Sequence, residues 1–288
     1  LEDSYAYSDS VFDAPLLAAV GFPHVVNPDA RLVVLAAAKR WPTLHLDVAP
    51  GVARVPVVGG ETQRLLLNLV KPSFFPYVRW DIDGSSHIPA DGPAILVINH
   101  RSYFDVAAIA VLIAQTQRTV RFLAKREIFE APVIGQIARA MGAIRVDRGS
   151  GSSDPLERAA EALRAGSVVA VFPQGTIPRG EEFFASTIQA RSGAARLAAM
   201  TRVPVLPVGL WGTESVWPRS ARLPNVLEVL HPPVVRVRVG PPISLKYRSA
   251  IADTRRIVDA IRDLLPAEAH VQRRPSAEEL RRTFPSGG

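Results

Sequence analysis

Short apolar segments alternate with helix-like segments from residue 93 to about residue 265, and this alternation limits the possible folds most strongly. The strand candidates are residues 94–98, 119–124, 143–146, 167–172, 203–210 and 234–239. The helix candidates lie near residues 104–116, 131–141, 154–165, 187–201 and 250–265. Such alternation is typical of an α/β fold, in which helices flank a mixed, largely parallel sheet.

Composition narrows the classes of partner. The 288 residues are 48% apolar, which is enough for a full core, and they include no cysteine, which excludes disulfides and cysteine-bound metals. The net charge of +7 favours an anionic partner such as a phosphate group or a lipid surface. No nucleic-acid-binding motif is present, so we expect no nucleic acid partner. No apolar run reaches the ~18 residues that would span a bilayer.

The pattern predicts four parts. Residues 1–48 read as a small, incomplete α/β fragment with a strand at 24–27 and a helix capped by Asn27 or Asp29. The Pro- and Gly-rich residues 49–61 are expected to be a linker, and residues 62–270 the main domain. Residues 271–288 form a polar tail with a short helix, for which Ser276 and Glu279 have capping-box spacing. The chain begins mid-pattern at Leu1, so we expect an upstream piece.

Residues 62–80 are apolar and aromatic with interspersed basic groups. Two interpretations stay open for this segment. It is either an amphipathic segment that lies in a membrane interface or an ordinary helix packed on the main domain.

A histidine and a carboxylate follow the strand candidate at 94–98, in the stretch INHRSYFD. Five residues separate His100 from Asp105, so the two side chains would not share one helix face. They can meet if His100 lies in the loop and Asp105 in the first turn of the next helix. The carboxylate would then accept a hydrogen bond from Nδ1–H and leave Nε2 as a general base. The alternative is a structural histidine held by a neighbouring carboxylate.

Two further loops carry phosphate-binding residue types. In the stretch GAIRVDRGS a short strand delivers Arg145 and Arg148 near a Gly-rich loop, and arginine forks suit phosphate. The stretch VFPQGTIPRG ends a buried strand and presents Gln174, Thr176 and Arg179 in a loop.

Four blocks together resemble the glycerolipid (1-acylglycerol-3-phosphate) acyltransferase family. They read NHRSYFD, GAIRVDR, FPQGTIP and VPVLPVG, in the family's order, and the resemblance covers residues 75 to 265. It implies that His100 is the base and Asp105 its orienting partner. It also implies substrate binding by the residues of these blocks: Asn99, Arg145, Arg148, Gln174, Gly175, Thr176 and Arg179.

The resemblance implies an O-acyltransferase that moves an acyl chain from acyl-CoA or acyl carrier protein to a lysophospholipid, giving phosphatidic acid. No cofactor is expected for this transfer, and the protein would lie at the cytoplasmic face of the cell membrane, peripheral or interfacial. Two departures concern acceptor specificity. Gln174 replaces the family's Glu, and Ile177 replaces the Arg after the Thr, with Arg179 two places later.

The amino-terminal stretch resembles the last quarter of a haloacid-dehalogenase-like phosphatase of the phosphoserine phosphatase type. Its final acidic motif matches Asp9 and Asp13, whose carboxylates suit Mg²⁺. The alternative is that Ser8 or Asp9 is a helix cap and Asp13 lies in the first turn. No DxDxT nucleophile loop occurs in the sequence, so phosphatase activity would need a missing amino-terminal part. The whole therefore looks like a truncated phosphatase–acyltransferase. The rival hypotheses are an Mg²⁺-dependent phosphatase and a non-catalytic membrane-binding module.

Overall fold

The structure, a computed structural model, describes residues 1–46, 63, 67, 70–116, 118–125, 130, 138, 142–146, 154–272 and 274–285. Its strands are β1 (Tyr5–Ser8), β2 (Phe22–Val26), β3 (Thr43–Leu44), β4 (Arg79–Asp83), β5 (Ala94–Ile98), β6 (Val120–Lys125), β7 (Ile144–Val146), β8 (Val168–Val171), β9 (Val205–Trp211) and β10 (Val234–Val239). Its α-helices are α1 (Ala14–Ala19), α2 (Ala30–Lys39), α3 (Asp105–Ala114), α4 (Asp154–Arg164), α5 (Gly193–Thr201), α6 (Thr213–Val216), α7 (Ala250–Arg262) and α8 (Ala277–Arg282). Short 3-10 helices cover Val11–Asp13, Pro72–Phe74, Ser85–His87, Gly180–Phe184 and Ala267–His270.

Seven strands form the main sheet, in the order β4-β10-β9-β5-β8-β6-β7. Every neighbouring pair is parallel except β9 and β10, which are antiparallel. The predicted α/β fold with a mixed, largely parallel sheet is therefore confirmed. Strand β5 lies in the middle of the sheet, and all five of its residues are buried.

Two apolar layers cover the sheet because consecutive side chains of a strand point to opposite faces. From β5, Leu96 and Ile98 pack in the layer that contains α3. Ile95 and Val97 pack in the opposite layer, which contains α4, α5 and α7. Helix α3 is apolar on nearly all sides and seven of its ten residues are buried, as expected for a helix enclosed by the fold. This packing holds both ends of the β5–α3 connection rigidly.

Residues 1–46 form a smaller α/β unit. Its three strands are parallel in the order β1-β2-β3, and Leu17, Val25 and Leu32 are fully buried in its core. Asp29 caps α2 by accepting hydrogen bonds from two backbone N–H groups of the first turn, which confirms one of the two predicted caps. The predicted linker at 49–61 lies outside the described residues.

The carboxyl-terminal end of the segment 62–80 is a strand and not a helix. Its last two residues, Arg79 and Trp80, begin strand β4, which pairs with β10. Trp80 stacks on Phe104, with ring centroids 5.9 Å apart, and Phe75 meets both rings edge to face. Because these aromatic rings pack on the core, this part of the segment is structural. Phe74, in contrast, is 62% exposed.

Two other predicted helices differ from the sequence pattern. The helix predicted at 187–201 begins only at Gly193, because the preceding residues run along the loop after β8, where the Arg191 N–H donates to the Pro173 carbonyl. The helix predicted at 131–141 lies almost wholly outside the described residues. The capping box of α8 between Ser276 and Glu279 is confirmed. Within the described ranges, no helix has the length and apolar character needed to cross a bilayer.

Candidate active site

The candidate site lies where three neighbouring parallel strands end. Strands β9, β5 and β8 are adjacent and parallel, so their carboxyl ends meet at one edge of the sheet. Asn99 and His100 follow β5, Gln174 follows β8 by three residues, and Thr213 follows β9 by two. The carboxyl edge of an open α/β sheet is where such folds usually bind ligands.

The structure brings His100 and Asp105 together as the spacing predicts. His100 lies in the loop after β5, Asp105 is the first residue of α3, and the distance from His100 Nδ1 to Asp105 Oδ2 is 2.7 Å. The same oxygen accepts hydrogen bonds from the backbone N–H groups of Arg101 at 2.6 Å and Ser102 at 3.0 Å. Thr213 donates its hydroxyl to the other oxygen at 2.5 Å. Four donors therefore hold this fully buried carboxylate in one orientation.

This contact sets the chemistry of the imidazole. Because Nδ1–H donates to the carboxylate, Nε2 is the nitrogen with a free lone pair. The side chain of His100 is 19% exposed, and its ring stacks on Phe172 with centroids 4.2 Å apart. The imidazole is thus fixed in position and tautomer, yet accessible. Such a pair can take a proton from an alcohol and stabilise the imidazolium that forms.

Asn99 and Gln174, predicted to bind substrate, hold the backbone of the site. The Asn99 amide both donates to the Leu210 carbonyl at 2.9 Å and accepts from the Leu210 N–H at 2.7 Å, which ties the end of β5 to β9. Gln174 Oε1 accepts from the His100 backbone N–H at 2.6 Å, which ties the β5 loop to the β8 loop. Both side chains also line the cavity beside His100, but the structure gives them positioning contacts.

Three other predicted binding residues of the β8 loop lie outside the cavity wall, although Pro178 of the same loop is part of it. The Gly175 N–H donates to the Phe172 carbonyl at 2.9 Å, and Gly175 has a φ of 71°, a value that glycine adopts without strain. Thr176 is half-buried and Arg179 is exposed. Within the described part of the chain, none of the three predicted binding residues Gly175, Thr176 and Arg179 lines the cavity with His100.

The predicted phosphate-binding residue Arg145 is not brought close to His100. Arg145 lies in β7, at the far side of the sheet, with β6 and β8 between it and β5. It does not appear among the described residues around the cavity. Arg148 lies outside the described residues. The sequence pattern correctly predicted the strand that carries Arg145, but strand order across the sheet is not readable from the chain.

Three functional neighbours were missed by sequence reasoning. Arg101 donates to Glu214 Oε1 from Nε at 3.0 Å and from Nη2 at 2.6 Å, and its guanidinium lies over the rings of Phe183 and Trp211. Thr213, which holds Asp105, is the third. A signal existed for Thr213, since it follows a glycine at the end of a buried strand.

That glycine, Gly212, has a backbone conformation that fixes the position of Thr213. Its φ is 90°, and a Cβ at this position would lie 2.1 Å from the Val234 carbonyl oxygen. Only glycine fits both constraints without a shift of the backbone. The turn therefore places the Thr213 hydroxyl against Asp105.

A cavity of about 460 Å³ opens beside His100. Its wall includes Gln174, Glu214 and Arg219, together with Arg282 and Thr283 of the carboxyl-terminal stretch. The Gly180 N–H donates to the Thr283 hydroxyl at 2.8 Å, which fixes this stretch against the loop after β8. The polar segment predicted to be a tail thus contributes to the cavity.

The candidate magnesium ligands lie in the amino-terminal unit. Asp9 directly follows β1, and Asp13 precedes α1 and accepts a hydrogen bond from the Ser8 hydroxyl at 2.6 Å. Ser10, rather than the predicted Ser8 or Asp9, caps the helical turn that follows. Among the residues that the structure describes, no group of three or more His, Asp or Glu side chains is arranged to hold a metal ion. Magnesium binding by Asp9 and Asp13 stays a prediction.

Comparison with known proteins agrees with the geometry. Residues 79–211 match the family model described as Acyltransferase. The chain is 31% identical over 169 residues to a chloroplastic 1-acyl-sn-glycerol-3-phosphate acyltransferase of Arabidopsis thaliana, a match covering 56% of this chain and 45% of that protein. It is 28% identical over 129 residues to the 1-acyl-sn-glycerol-3-phosphate acyltransferase of Bacillus subtilis, covering 45% of this chain and 61% of that protein. The matched segment thus spans about half the length of such relatives.

A solved structure shares the fold. It is the 1-acyl-sn-glycerophosphate acyltransferase of Thermotoga maritima, with a TM-score of 0.51 and 24% sequence identity, and the match covers 70% of this chain and 78% of that one. The acyltransferase fold predicted from the four blocks is therefore confirmed. The matched family segment, 79–211, contains His100, Asp105 and the whole β8 loop.

Proposed function

We propose that this chain is an O-acyltransferase that transfers an acyl chain from acyl-CoA or acyl carrier protein to the hydroxyl of a lysophospholipid such as 1-acylglycerol-3-phosphate. The product would be phosphatidic acid. The observation that carries the proposal is the contact between His100 and Asp105, with Nε2 left as a base beside a cavity. The family match over residues 79–211 and the names of the relatives support the acyl-transfer chemistry.

The proposed step needs one base and two bound substrates. The acceptor hydroxyl gives its proton to His100 Nε2 as its oxygen attacks the thioester carbonyl carbon. The new C–O bond forms, the C–S bond breaks, and the proton then passes from the imidazolium to the leaving thiolate. Asp105 stabilises the imidazolium through the 2.7 Å contact. No cofactor enters this step, and the nucleophile is the acceptor itself.

The proposal also explains why the imidazole needs no protein nucleophile beside it. Among the described residues, the hydrogen bond of the imidazole is the one to Asp105, so a substrate hydroxyl can take the place at Nε2. A base-and-orienter pair without a serine is what direct transfer between two substrates requires.

Thiol release is the sharpest test of this function. The chain has no cysteine, so a thiol reagent would report only CoA released from acyl-CoA. We expect release that depends on lysophosphatidic acid, with phosphatidic acid identified by mass spectrometry. Acyl carrier protein loaded with the same acyl group distinguishes the two donors. Absence of acceptor-dependent release with both donors and with several lysophospholipids would contradict the proposal.

We further propose that the protein works at a membrane surface, at the cytoplasmic face, as a peripheral protein. The lysophospholipid acceptor is itself a membrane lipid, and the net charge of +7 favours an anionic surface. Residues 223–230 add apolar contact area, because Leu223, Leu227 and Leu230 are 76%, 87% and 89% exposed. This segment is fixed near the site, since the Asn225 N–H donates to the carbonyl of Val216 at 2.8 Å.

Vesicle sedimentation tests the membrane proposal. Wild type should sediment with vesicles that contain phosphatidylglycerol, and Leu227→Ser with Leu230→Ser should weaken this binding, since each leucine would lose ~1.5–3 kcal/mol of apolar burial. Equal sedimentation of wild type and the double variant would exclude this segment as the contact. Binding without any acyl transfer would favour the rival hypothesis of a non-catalytic membrane-binding module.

For the amino-terminal unit we propose a relation to haloacid-dehalogenase-like phosphatases. The parallel order β1-β2-β3 and the position of Asp9 at the carboxyl end of β1 support it. We also propose that 49–61 is a linker between this unit and the main domain, which limited proteolysis would test by cleavage within 49–61. Isothermal titration with Mg²⁺, on wild type and Asp9→Asn, would test the predicted carboxylate pair.

A further inference from the structure

Arg219 is a buried cation that forms no salt bridge with any carboxylate among the described residues. It is 8% exposed, and it lines the same cavity as His100 and Gln174. Its Nη1 donates a hydrogen bond to the Ile177 carbonyl, while its Nε is buried with no hydrogen-bond partner among the described residues. Charged side chains this deeply buried are normally paired with an opposite charge, because removal of an ion from water costs several kcal/mol.

The surroundings of Arg219 disfavour its positive charge. Burial lowers the pKa of the guanidinium, and the nearby charge of Arg179 lowers this pKa further, while Tyr103 acts in the opposite direction. In the described part of the chain the charged groups that act on Arg219 include no carboxylate. A guanidinium stays protonated in proteins, so the cost is not relieved by loss of the proton. An anion bound in the cavity would relieve it.

The position of Arg219 connects two elements of the site. It follows α6, the helix that begins with Thr213, and it contacts the β8 loop at Ile177. Arg179, which the sequence pattern assigned to phosphate binding, is exposed and does not line the cavity within the described residues. Of Arg179 and Arg219, the one that lines the cavity is thus Arg219, which belongs to none of the four sequence blocks.

We propose that Arg219 forms the subsite for a phosphate ester of a substrate in this cavity, with Arg179 adding positive charge from outside. The proposal rests on the proposed acyl transfer for the identity of the substrates. The guanidinium of Arg219 already contacts the Ile177 carbonyl and the Tyr103 side chain, and its Nε–H has no partner among the described residues. A planar guanidinium with such an unused N–H suits the geometry of phosphate oxygens. The phosphate is either the phosphomonoester of a lysophosphatidic acid or a phosphate of CoA, and the experiment distinguishes these two sources.

The kinetic test compares Arg219→Gln and Arg219→Lys with Arg222→Gln, an exposed arginine three residues away as the matched control. Loss of a charge-assisted hydrogen bond should raise the KM of the phosphate-bearing substrate by ~10- to 100-fold. Arg219→Lys should lie between wild type and Arg219→Gln, and Arg222→Gln should match wild type. A rise confined to the KM of lysophosphatidic acid, and absent for monoacylglycerol, assigns the subsite to the acceptor. A rise confined to acyl-CoA assigns it to the donor.

A binding measurement tests the phosphate subsite independently of acyl-transfer activity. Thermal unfolding of wild type and of His100→Ala should shift upward with glycerol 3-phosphate or with CoA, and Arg219→Gln should abolish that shift. If no acyl transfer is found but this shift depends on Arg219, the subsite stands and the proposed function fails. If Arg219→Gln folds, and neither its KM values nor its ligand shifts differ from those of Arg222→Gln, the subsite proposal is wrong.

Discussion

The negative charge of Asp105 should contribute more to kcat than its hydrogen-bonded geometry, and the variant Asp105→Asn separates the two contributions. The amide oxygen of Asn can accept from His100 and from the N–H groups of Arg101 and Ser102, as Oδ2 does. The amide nitrogen then faces Thr213, whose hydroxyl can turn to accept. The hydrogen-bonded geometry therefore survives in the variant, and only the negative charge is lost.

The expected effect follows from the imidazolium that forms during proton transfer. Charge centres about 4 Å apart interact with roughly 4 kcal/mol at an effective dielectric of 20, and sharing of the carboxylate with other donors reduces this to about 2–4 kcal/mol. At about 1.4 kcal/mol per tenfold, kcat of Asp105→Asn should fall by ~30- to 1,000-fold. Thr213→Val removes one neutral donor and no charge, so its kcat should fall by ~10-fold or less.

The assay is thiol release at saturating acyl-CoA and lysophosphatidic acid, with thermal unfolding measured in parallel. Asp259→Asn, at an exposed position of α7, is the matched control. The reasoning is refuted if Asp105→Asn unfolds at the wild-type temperature and keeps kcat within threefold of wild type. It is also refuted if Thr213→Val loses more activity than Asp105→Asn.

Two further predictions follow from the hydrogen bonds of the fold. Gln174→Glu keeps the acceptor for the His100 N–H, so it should retain at least a third of wild-type kcat. Gln174→Leu leaves this buried donor unpaired, so its kcat should fall by ~10-fold. Equal kcat values for the two variants would refute this role of Gln174. Burial raises the pKa of Asp253, but hydrogen bonds from the backbone N–H groups of Lys246 and Tyr247 outweigh it, so the net pKa lies below its ordinary value. The lowered pKa means that ionised Asp253 stabilises the fold at pH values above the pKa of this group in the unfolded chain. This stabilisation disappears as the pH falls through the pKa of Asp253 in the folded protein. The difference in Tm between wild type and Asp253→Asn should therefore shrink from pH 7 to pH 3. A difference independent of pH would contradict that reading.

The sequence alone predicted the central chemistry because it is local. His100 and Asp105 are five residues apart and follow a strongly apolar strand, so the loop and the helix start could be read directly. The six strand candidates between 94 and 239 all correspond to strands β5 to β10 of the sheet. Capping residues such as Asp29 and Ser276 were readable for the same reason, because a cap depends on its own first turn.

Contacts between distant parts of the chain were not readable. Arg219 contacts a loop 42 residues away, and Thr213 donates to a carboxylate 108 residues away. Neither residue has a periodic signal, because their positions depend on strand order and not on spacing. Strand β4 was missed for a related reason. Its residues 79–83 alternate weakly and follow an aromatic segment, so pairing with β10 decides their conformation.

Gln174 shows that a residue found from the sequence can have a structural contact that the sequence does not reveal. The pattern placed it correctly in the loop after β8, where polar side chains suit a ligand. In the structure its Oε1 accepts a hydrogen bond from the His100 N–H, and the side chain also lines the cavity. A polar side chain at a strand end can hydrogen-bond to a buried backbone group or to a ligand, and the sequence does not show which of these it does.

The central claim is that His100 is the base that takes the proton of the acceptor hydroxyl. The most direct measurement is phosphatidic acid formation from acyl-CoA and lysophosphatidic acid by wild type, His100→Ala and His231→Ala, all with native unfolding temperatures. His231 is the matched control because its side chain is 89% exposed. We expect His231→Ala to equal wild type and His100→Ala to lose ~10²- to 10⁴-fold in kcat. Equal transfer by wild type and His100→Ala would contradict the account.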